Sequence, residues 1–528
     1  MPVQPSPQAL RPSAPPSTAL RRVVELAGAR PSRDDLDDVV VTGIEQRSHA
    51  VQPGDLFAGL PGSQAHGARF AADAIERGAV AVLTDPAGAE LIGSVAVPVL
   101  VRDDPRAVLG ELSAVIYGDP SQRLQVIGIT GTSGKTTTSY LIEAGLVAAG
   151  RQTALIGTIE TRIGGQRVPS ALTTPEAPQL HAMFALMVEQ GVQDVVMEVS
   201  SHALALGRVD GVRFAVGAFT NLSQDHLDFH ADFEDYFAAK RRLFEPDSPV
   251  AAQNCVICVD DAWGRRLARE IGGRTSVVTV ATTSSPTGED EPDWTALGPS
   301  ADGGEQTFTA AGPETKVQVQ LRLPGHYNIA NGLLAVAVCA AAGVDAATAA
   351  AALAQVDVPG RMQRVDRGQD FLAVVDYAHK PAAVESVIAT LREYVRGSGG
   401  RLAVVVGAGG DRDAGKRPLM GATAARGADL LIITDDNPRS EEPAAIREAI
   451  RGGALGIAEA ERGEVTEIGD RAAAVAAAVD WARPGDVVLV AGKGHETGQE
   501  IAGVKYPFDD REVLAEALSR KTKDLTVS

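Results

Sequence analysis

The sequence is short of cysteine, of basic charge and of long apolar runs, and each shortage removes a class of protein. Three cysteines occur in 528 residues, Cys255, Cys258 and Cys339. That is no disulfide framework, and it fits a reducing compartment, so a cytoplasmic location is expected. Cys255 and Cys258 form a CxxC, but no second pair exists to complete a zinc site. The run Cys255-Val256-Ile257-Cys258-Val259 reads instead as a buried strand. No apolar run approaches the roughly 20 residues that a membrane span needs, so no membrane insertion is expected. The start of the chain, rich in Pro, Ser and Ala, lacks the basic and apolar regions of a signal peptide, and residues 1–18 are expected to form a disordered tail. Lys and Arg number 49 against 68 Asp and Glu, a net charge of -19. A nucleic-acid partner would need clustered positive charge, and none is expected. Anionic small substrates stay open, because basic sites can sit inside an acidic protein.

What is present is ordinary for a globular chain: 45% hydrophobic and 22% charged residues. The length suggests about three domains at roughly 150 residues each. Residues 19–123 read as a small α/β domain, with a helix over 70–78 ending at a glycine and a strand over 79–84. Residues 124–358 read as a mostly parallel sheet, with strands at 124–129, 194–199, 214–220 and 255–259 separated by helices. Within it, residues 284–306 are polar, acidic and glycine-rich and read as a surface excursion, and residues 331–354 are Ala-rich and helical. Residues 359–528 form a third unit with strands at 371–375, 402–406, 429–434 and 486–490 and a last helix over 511–518, capped by Asp509 or Asp510.

In open α/β sheets, ligands bind beyond the carboxyl ends of the strands. Three strands of the middle unit end in chemically capable residues. The first runs into Gly131-Thr132-Ser133-Gly134-Lys135-Thr136-Thr137, the second carries Glu198 and runs into Ser200-Ser201-His202, and the third runs into Asn221-Leu222-Ser223-Gln224-Asp225-His226. The glycine loop opening a helix is the strongest signal, because backbone N–H groups and the helix end favour phosphate. Lys135 would reach the β- and γ-phosphates and the Thr136 hydroxyl would serve Mg²⁺. The strict GxxxxGK[ST] spacing wants a glycine where Ile129 stands; the glycines fall at 128 and 131. Glu198 is either a metal ligand or a strand-end charge in solvent. His226 alone reads as a structural histidine, since Mg²⁺ prefers oxygen, and Lys240 alone as a solvated helix lysine.

Four strand ends of the third unit carry mixed charges beside glycines: Asp376-Tyr377-Ala378-His379, Gly407 to Asp413, Asp435-Asp436-Asn437-Pro438-Arg439 and Gly492-Lys493-Gly494-His495-Glu496. Arg412 and Arg439 could clamp a carboxylate, while Asp436 and Glu496 could hold an ammonium group. A ligand bearing both charges, such as an amino acid, matches this set.

Taken in order, the phosphate loop, Glu198-Val199-Ser200-Ser201-His202, Asn221-Leu222-Ser223 with Asp225-His226, the stretch from Tyr236 to Lys240, Gly325-His326-Tyr327-Asn328 with Asn331, Pro359-Gly360-Arg361 and Asp376-Tyr377-Ala378-His379 resemble the Mur ligase family. The likeness covers nearly the whole chain after residue 40. It implies three α/β domains: a small uridine-nucleotide domain, a central P-loop ATPase-type sheet and a C-terminal Rossmann-like domain. Asp436-Asn437-Pro438-Arg439 is similar to the signature of members that add meso-diaminopimelate. The implied activity is ATP-dependent amide-bond formation on UDP-MurNAc-L-Ala-D-Glu through an acyl phosphate, in peptidoglycan precursor synthesis, by a monomer.

The resemblance also implies residue roles. Gly131 to Thr137, Asn328, Asn331, Arg361 and Asp376 would bind ATP. Thr136 and Glu198 would hold one Mg²⁺, and His226 with Lys240, carbamylated and so an oxygen donor, a second. Lys135, Glu198, His226 and Lys240 would form the catalytic set. Ser48, His66, Gly67, Thr173, Thr174, Ser200 and Arg208 would contact the uridine-diphosphate substrate, although the family often has Asp-Ser-Arg where this chain has Arg47-Ser48-His49. Arg412, Asp436, Asn437, Arg439, Gly492 and Glu496 would bind diaminopimelate. The rivals are a folylpolyglutamate synthase, a D-alanyl-D-alanine-adding ligase, and a P-loop switch or transporter ATPase.

Overall fold

Strands buried on both faces, such as Leu402–Val406 and Val487–Ala491, need cover on two sides, and helical crossovers between parallel strands supply it. The computed structural model describes residues 10–62, 65–168, 172–226, 229–283, 291–302 and 305–527, and builds three main α/β sheets by this rule. The chain forms two units: residues 1–298, 308–319 and 330–353 in the first, and 299–307, 320–329 and 354–528 in the second.

The first unit holds the smaller sheet whole and the greater part of the larger. In the smaller, the order is Arg30–Pro31, Val99–Val101, Ala81–Thr84, Asp55–Ala58, Gly43–Glu45, parallel except at the first strand. In the larger, Gln125–Thr130 lies between Asp194–Glu198 and Phe214–Phe219, with Thr153–Ile156 beyond the former and Asn254–Cys258 and Ser276–Ala281 beyond the latter, all parallel. The register sets Glu198 opposite Ile129 and Phe219 opposite Thr130, so the three expected site strands end side by side. Cys255 and Cys258 are free and buried on Asn254–Cys258. Burial pushes the Cys255 thiol up to about 11, so it stays protonated and unreactive.

The second unit holds a six-stranded sheet in the order Gln363–Arg364, Leu372–Asp376, Val487–Ala491, Leu402–Val406, Leu430–Ile433, Glu464–Glu467, with only the first strand antiparallel. Its parallel strands direct their carboxyl ends to one edge.

Three expectations change. Residues 10–18 are not a free tail. Leu10 packs against the core beneath the larger sheet, the Arg11 guanidinium lies 2.7 Å from Asp55 Oδ1, and Thr18–Ala19 pairs with Val40–Val41. Composition pointed to disorder, but one buried ion pair and one apolar anchor suffice to order the segment. The polar excursion is partly strand: Trp294–Asp302 and Glu305–Ala311 follow Ser276–Ala281 in the sheet order. Trp294 and Ala296 supply the buried face that the acidic composition masked. Residues 284–290, 303 and 304 of that stretch lie outside the described residues. The Ala-rich stretch divides into His326–Ala341 and Ala346–Leu353, because Gly343 takes a φ of 82° and ends the first helix.

Asp509 takes the capping role expected for the last helix, its Oδ1 accepting from Arg511 N at 2.9 Å. Asp510, at the start of Asp510–Val527, instead receives Arg471 Nε and Nη2, both at 2.7 Å, while Arg471 Nη2 also donates to Ala491 O at 2.9 Å. Both side chains are fully buried. Breaking such a pair from one side leaves a charge without a counterion and costs about 3–5 kcal/mol. Asp510→Ala is therefore expected to lower the denaturant midpoint of the C-terminal domain, followed by Trp481 fluorescence, whereas Glu512→Ala on the same helix is expected to leave it unchanged.

Candidate active site

The loop after Gln125–Thr130 needs glycine for stated reasons. Gly131 has φ 146° and Gly134 φ 87°. A Cβ on Gly131 would run into Thr220 Oγ1, and one on Gly134 into Asn331 Oδ1. The next strand end clamps the loop: Thr220 Oγ1 donates to Ser133 O at 2.7 Å, and Asn221 Oδ1 accepts from Ser133 N at 3.0 Å. Asn221 O accepts from Thr132 N at 2.9 Å, and the Thr132 hydroxyl meets the Tyr236 hydroxyl at 3.1 Å. Lys135, first residue of the helix Lys135–Ala148, folds back to donate to Gly131 O at 2.9 Å and Thr132 O at 3.0 Å. Thr137 is buried one turn in, and Asn331 Oδ1 accepts from Thr138 Oγ1 at 3.3 Å.

Glu198 is not a charge in solvent: it is 1% exposed. Its Oε1 accepts from Thr136 Oγ1 at 2.9 Å and from Thr158 N at 2.8 Å, and its Oε2 from Thr158 Oγ1 at 2.9 Å. These partners are neutral donors, so a buried carboxylate and the Thr136 hydroxyl form one set of oxygens. Such oxygen donors suit Mg²⁺. Thr158 Oγ1 touches Thr173 Oγ1 at 3.1 Å, Thr174 Oγ1 donates to Glu198 O at 2.9 Å, and Ser200 N donates to Thr174 Oγ1 at 3.2 Å. Arg208 adds a contact to Thr174 O and an ion pair to Glu176 at 2.8 Å. The substrate contacts expected at Thr173, Thr174, Ser200 and Arg208 are thus one hydrogen-bonded group continuous with Glu198.

Lys240 is also unlike its residue-level reading. It lies on Phe233–Arg241, is 1% exposed, and donates to Gly131 O at 2.9 Å. Burial, and then the charge of Lys135, hold its amine well below the usual lysine range. His226 adopts φ 53° and stacks edge-on to His202 with ring centres 4.9 Å apart. Leu227 and Asp228, in the same motif, lie outside the described residues.

In the smaller sheet, His66 closes a turn: its Nδ1 accepts from Ala68 N at 3.1 Å and its Nε2 meets Asp85 Oδ1 at 3.0 Å, with Gly67 starting the helical turn Gly67–Phe70. Ser48 starts the turn Ser48–Ala50, and its hydroxyl helps hold the Asp73 carboxyl below the ordinary carboxylate range. The unusual Arg47 has a local cause. Its guanidinium grips the buried Glu45 through Nε at 3.0 Å and Nη2 at 2.8 Å. Burial drives the Glu45 carboxyl up, but Arg47 outweighs it and leaves the carboxyl below its ordinary value.

In the second unit, Asp376 ends Leu372–Asp376 buried, with Met362 N and Ala378 N donating to it at 2.7 and 2.8 Å. Burial pushes its carboxyl up against the pull of Arg361, whose guanidinium lies 4.5 Å over the Tyr377 ring. Asn328 Nδ2 donates to Pro324 O at 2.7 Å. On the neighbouring strand ends, Asn437 Nδ2 donates to Glu496 Oε2 at 2.8 Å. Gly492, at φ 118°, brings its backbone against Asp436: a Cβ there would sit 2.6 Å from Asp436 Oδ2. Arg439, in a left-handed conformation at φ 51°, donates to Gly410 O at 2.7 Å and lies 3.5 Å from Glu500. Arg412 is exposed.

Comparison with known proteins agrees with this geometry. Residues 40–117 match the model described as Mur ligase family, catalytic domain; residues 129–339 match Mur ligase middle domain; and residues 360–494 match Mur ligase, glutamate ligase domain. The UDP-N-acetylmuramoyl-L-alanyl-D-glutamate–2,6-diaminopimelate ligase of Corynebacterium glutamicum is 55% identical over 472 residues, 88% of this chain and 89% of that one. The chain belongs to the Mur ligase family. A solved structure of a UDP-N-acetylmuramoyl-L-alanyl-D-glutamate–2,6-diaminopimelate ligase superposes with a TM-score of 0.68 at 32% identity, over 94% of this chain and 99% of that one. The MurF ligase from Thermotoga maritima in complex with ADP, 17% identical with a TM-score of 0.59 over 92% and 98% of the two chains, shares the fold.

Membership removes the switch and transporter rivals. Sequence reasoning on this Mur ligase missed Thr158, which supplies two of the donors on Glu198, and Thr220, which clamps the loop. Thr220 had a signal, its place at the end of a site strand; Thr158 had none. Because a Cβ at 131, where φ is 146°, meets Thr220 and the Asn221 backbone, Gly131→Ala is expected to abolish ATP-dependent phosphate release while circular dichroism stays native.

Proposed function

We propose that the chain is the ATP-dependent ligase that joins meso-diaminopimelate to the D-glutamate of UDP-MurNAc-L-Ala-D-Glu in peptidoglycan precursor synthesis. The observation that carries this reading is the pair of strand-end clusters with complementary chemistry. One is a phosphate loop beside the buried Glu198. The other holds Asp436 and Glu496 for an ammonium group and Arg439 for a carboxylate. A nucleotide hydrolase has no need of the second.

The loop from Gly131 to Thr137 holds the phosphates of ATP, with Asn328, Asn331, Arg361 and Asp376 serving the rest of the nucleotide. Thr173, Thr174, Ser200 and Arg208 orient the substrate's D-glutamyl end, and Ser48, His66 and Gly67 its uridine diphosphate. The γ-carboxylate of D-glutamate attacks the γ-phosphorus of ATP, ADP leaves, and an acyl phosphate forms. Lys135 swings from the loop carbonyls to the transferring phosphoryl group and neutralises its charge. The amine of diaminopimelate then attacks the acyl carbon, phosphate departs with the C–O electrons, and the nitrogen loses its proton. Bound magnesium would neutralise charge on the phosphate oxygens, with Thr136 and Glu198 as its ligands at one site and His226 and carbamylated Lys240 at a second. Lys240 suits carbamylation because burial weakens the amine's hold on its proton, and a deprotonated amine can add carbon dioxide and release a proton.

Discrimination follows from charge. L-Lysine lacks the carboxylate that Arg439 would pair with, and leaving a charged partner unmatched costs about 2–4 kcal/mol, roughly a hundredfold or more. The test is phosphate release from ATP with UDP-MurNAc-L-Ala-D-Glu, with and without an acceptor. Release that requires meso-diaminopimelate and is far slower with L-lysine is expected; acceptor-independent release would refute the proposal. Lys135→Ala is expected to abolish release. Arg439→Ala is expected to raise KM for meso-diaminopimelate about a hundredfold and leave KM for ATP unchanged; a change confined to ATP would remove Arg439 from the amino-acid site.

A further inference from the structure

Between Asp436, Asn437 and Glu496 stands a residue to which no role has been given. Lys493 is 0% exposed. Its Nζ lies 2.9 Å from Asn437 Oδ1, 3.3 Å from Glu496 Oε2 and 3.6 Å from Asp436 Oδ1. We infer that Lys493 is a positioning residue that presets the amino-acid-binding edge, holding these three acceptors in the arrangement that receives the ammonium end of the acceptor amino acid. The inference rests on the reading of Asp436, Asn437 and Glu496 as the diaminopimelate site.

The hydrogen bonds leave the carboxamide one orientation. Asn437 Oδ1 accepts from Lys493 Nζ and from Glu500 N at 3.0 Å, so its Nδ2 must face Glu496 Oε2, to which it donates at 2.8 Å. Gln499 Nε2 fixes the backbone of Asp436 through its carbonyl at 2.8 Å. The Glu496 side chain remains 33% exposed, so the cluster is buried on the Lys493 side and open on the other.

A purely structural use explains this less well. Buried ion pairs rarely stabilise a fold more than apolar residues of similar volume do, so stability alone is a weak reason to bury Lys493 here. The sequence shows how the lysine is turned inward. Gly492 and Gly494 flank it at φ 118° and 54°, and a Cβ on Gly494 would sit 2.7 Å from Tyr377 Cβ. Two glycines let the backbone press against its neighbours while the side chain between them enters the sheet edge.

The test uses the full-length enzyme with all three substrates. Lys493→Met is expected to raise KM for meso-diaminopimelate about tenfold or more, the effect of one misplaced charged hydrogen bond, with KM for ATP and for the nucleotide substrate unchanged within about twofold. Arg439→Ala is run beside it. If Arg439→Ala raises the amino-acid KM and Lys493→Met does not, the inference on Lys493 is overturned and the site reading stands. If neither moves that KM, the site reading itself fails. A rise in all three KM values, or a fall in kcat alone, would make Lys493 merely structural and also overturn the inference. Should Lys493→Met fail to fold, the charge-balanced pair Lys493→Met with Glu496→Gln is compared with Glu496→Gln alone. The double variant is expected to bind meso-diaminopimelate more weakly than the single, and equal KM values would overturn the inference.

Discussion

A carboxylate buried at the end of a strand is costly unless every oxygen finds a donor, and Glu198 resolves that cost in a way that builds the middle domain's reactive edge. Through Thr136 it ties down the first turn of the phosphate-loop helix, and through Thr158 it reaches Thr173. Its own carbonyl takes Thr174. One residue therefore sets the loop, the adjoining threonines and the start of the Ser200 turn relative to each other. The loop carbonyl of Gly131 plays the complementary part, accepting from both Lys135 and Lys240 and so holding two lysine side chains beside the glycine turn.

The second unit applies the same economy to opposite ends. Arg471 and Asp510 are paired on both oxygens and sealed, which suits a hinge pin of the fold. Lys493 is sealed too, but its partners reach an open edge. Two buried cations near one strand end thus serve different purposes, since Arg471 donates to Ala491 O two residues before Lys493, and the difference lies in where their partners lead.

The parts of the site that could be read from sequence were those whose chemistry depends on local order. Gly131, Gly134, Lys135 and Thr136 announce themselves because a turn, a phosphate and a helix start must be contiguous. Glu198 and Asp376 were legible because parallel strands put their last residues at one edge. Lys240 resisted residue-level reading, since its burial comes from packing across the sheet edge and no local pattern records it; only the family resemblance pointed there. Thr158 was invisible for a similar reason: its partner is 40 residues away. The acidic stretch before Gln306 misled because two inward residues, Trp294 and Ala296, decide a strand while the outward ones dominate composition.

The first residues carry a practical consequence. Asp55 and Glu45 are almost wholly buried, and Arg11 reaches both, at 2.7 and 3.5 Å, while Ser13 N meets Glu189 on the next domain's helix at 2.8 Å. The Asp55 carboxyl is already pushed up by burial despite that cation. Trimming the proline-rich leader back to Leu20, the routine step before crystallisation, would unplug an acidic socket and cut a tether between two domains, so a shortened protein would be a different object from the one nature folds.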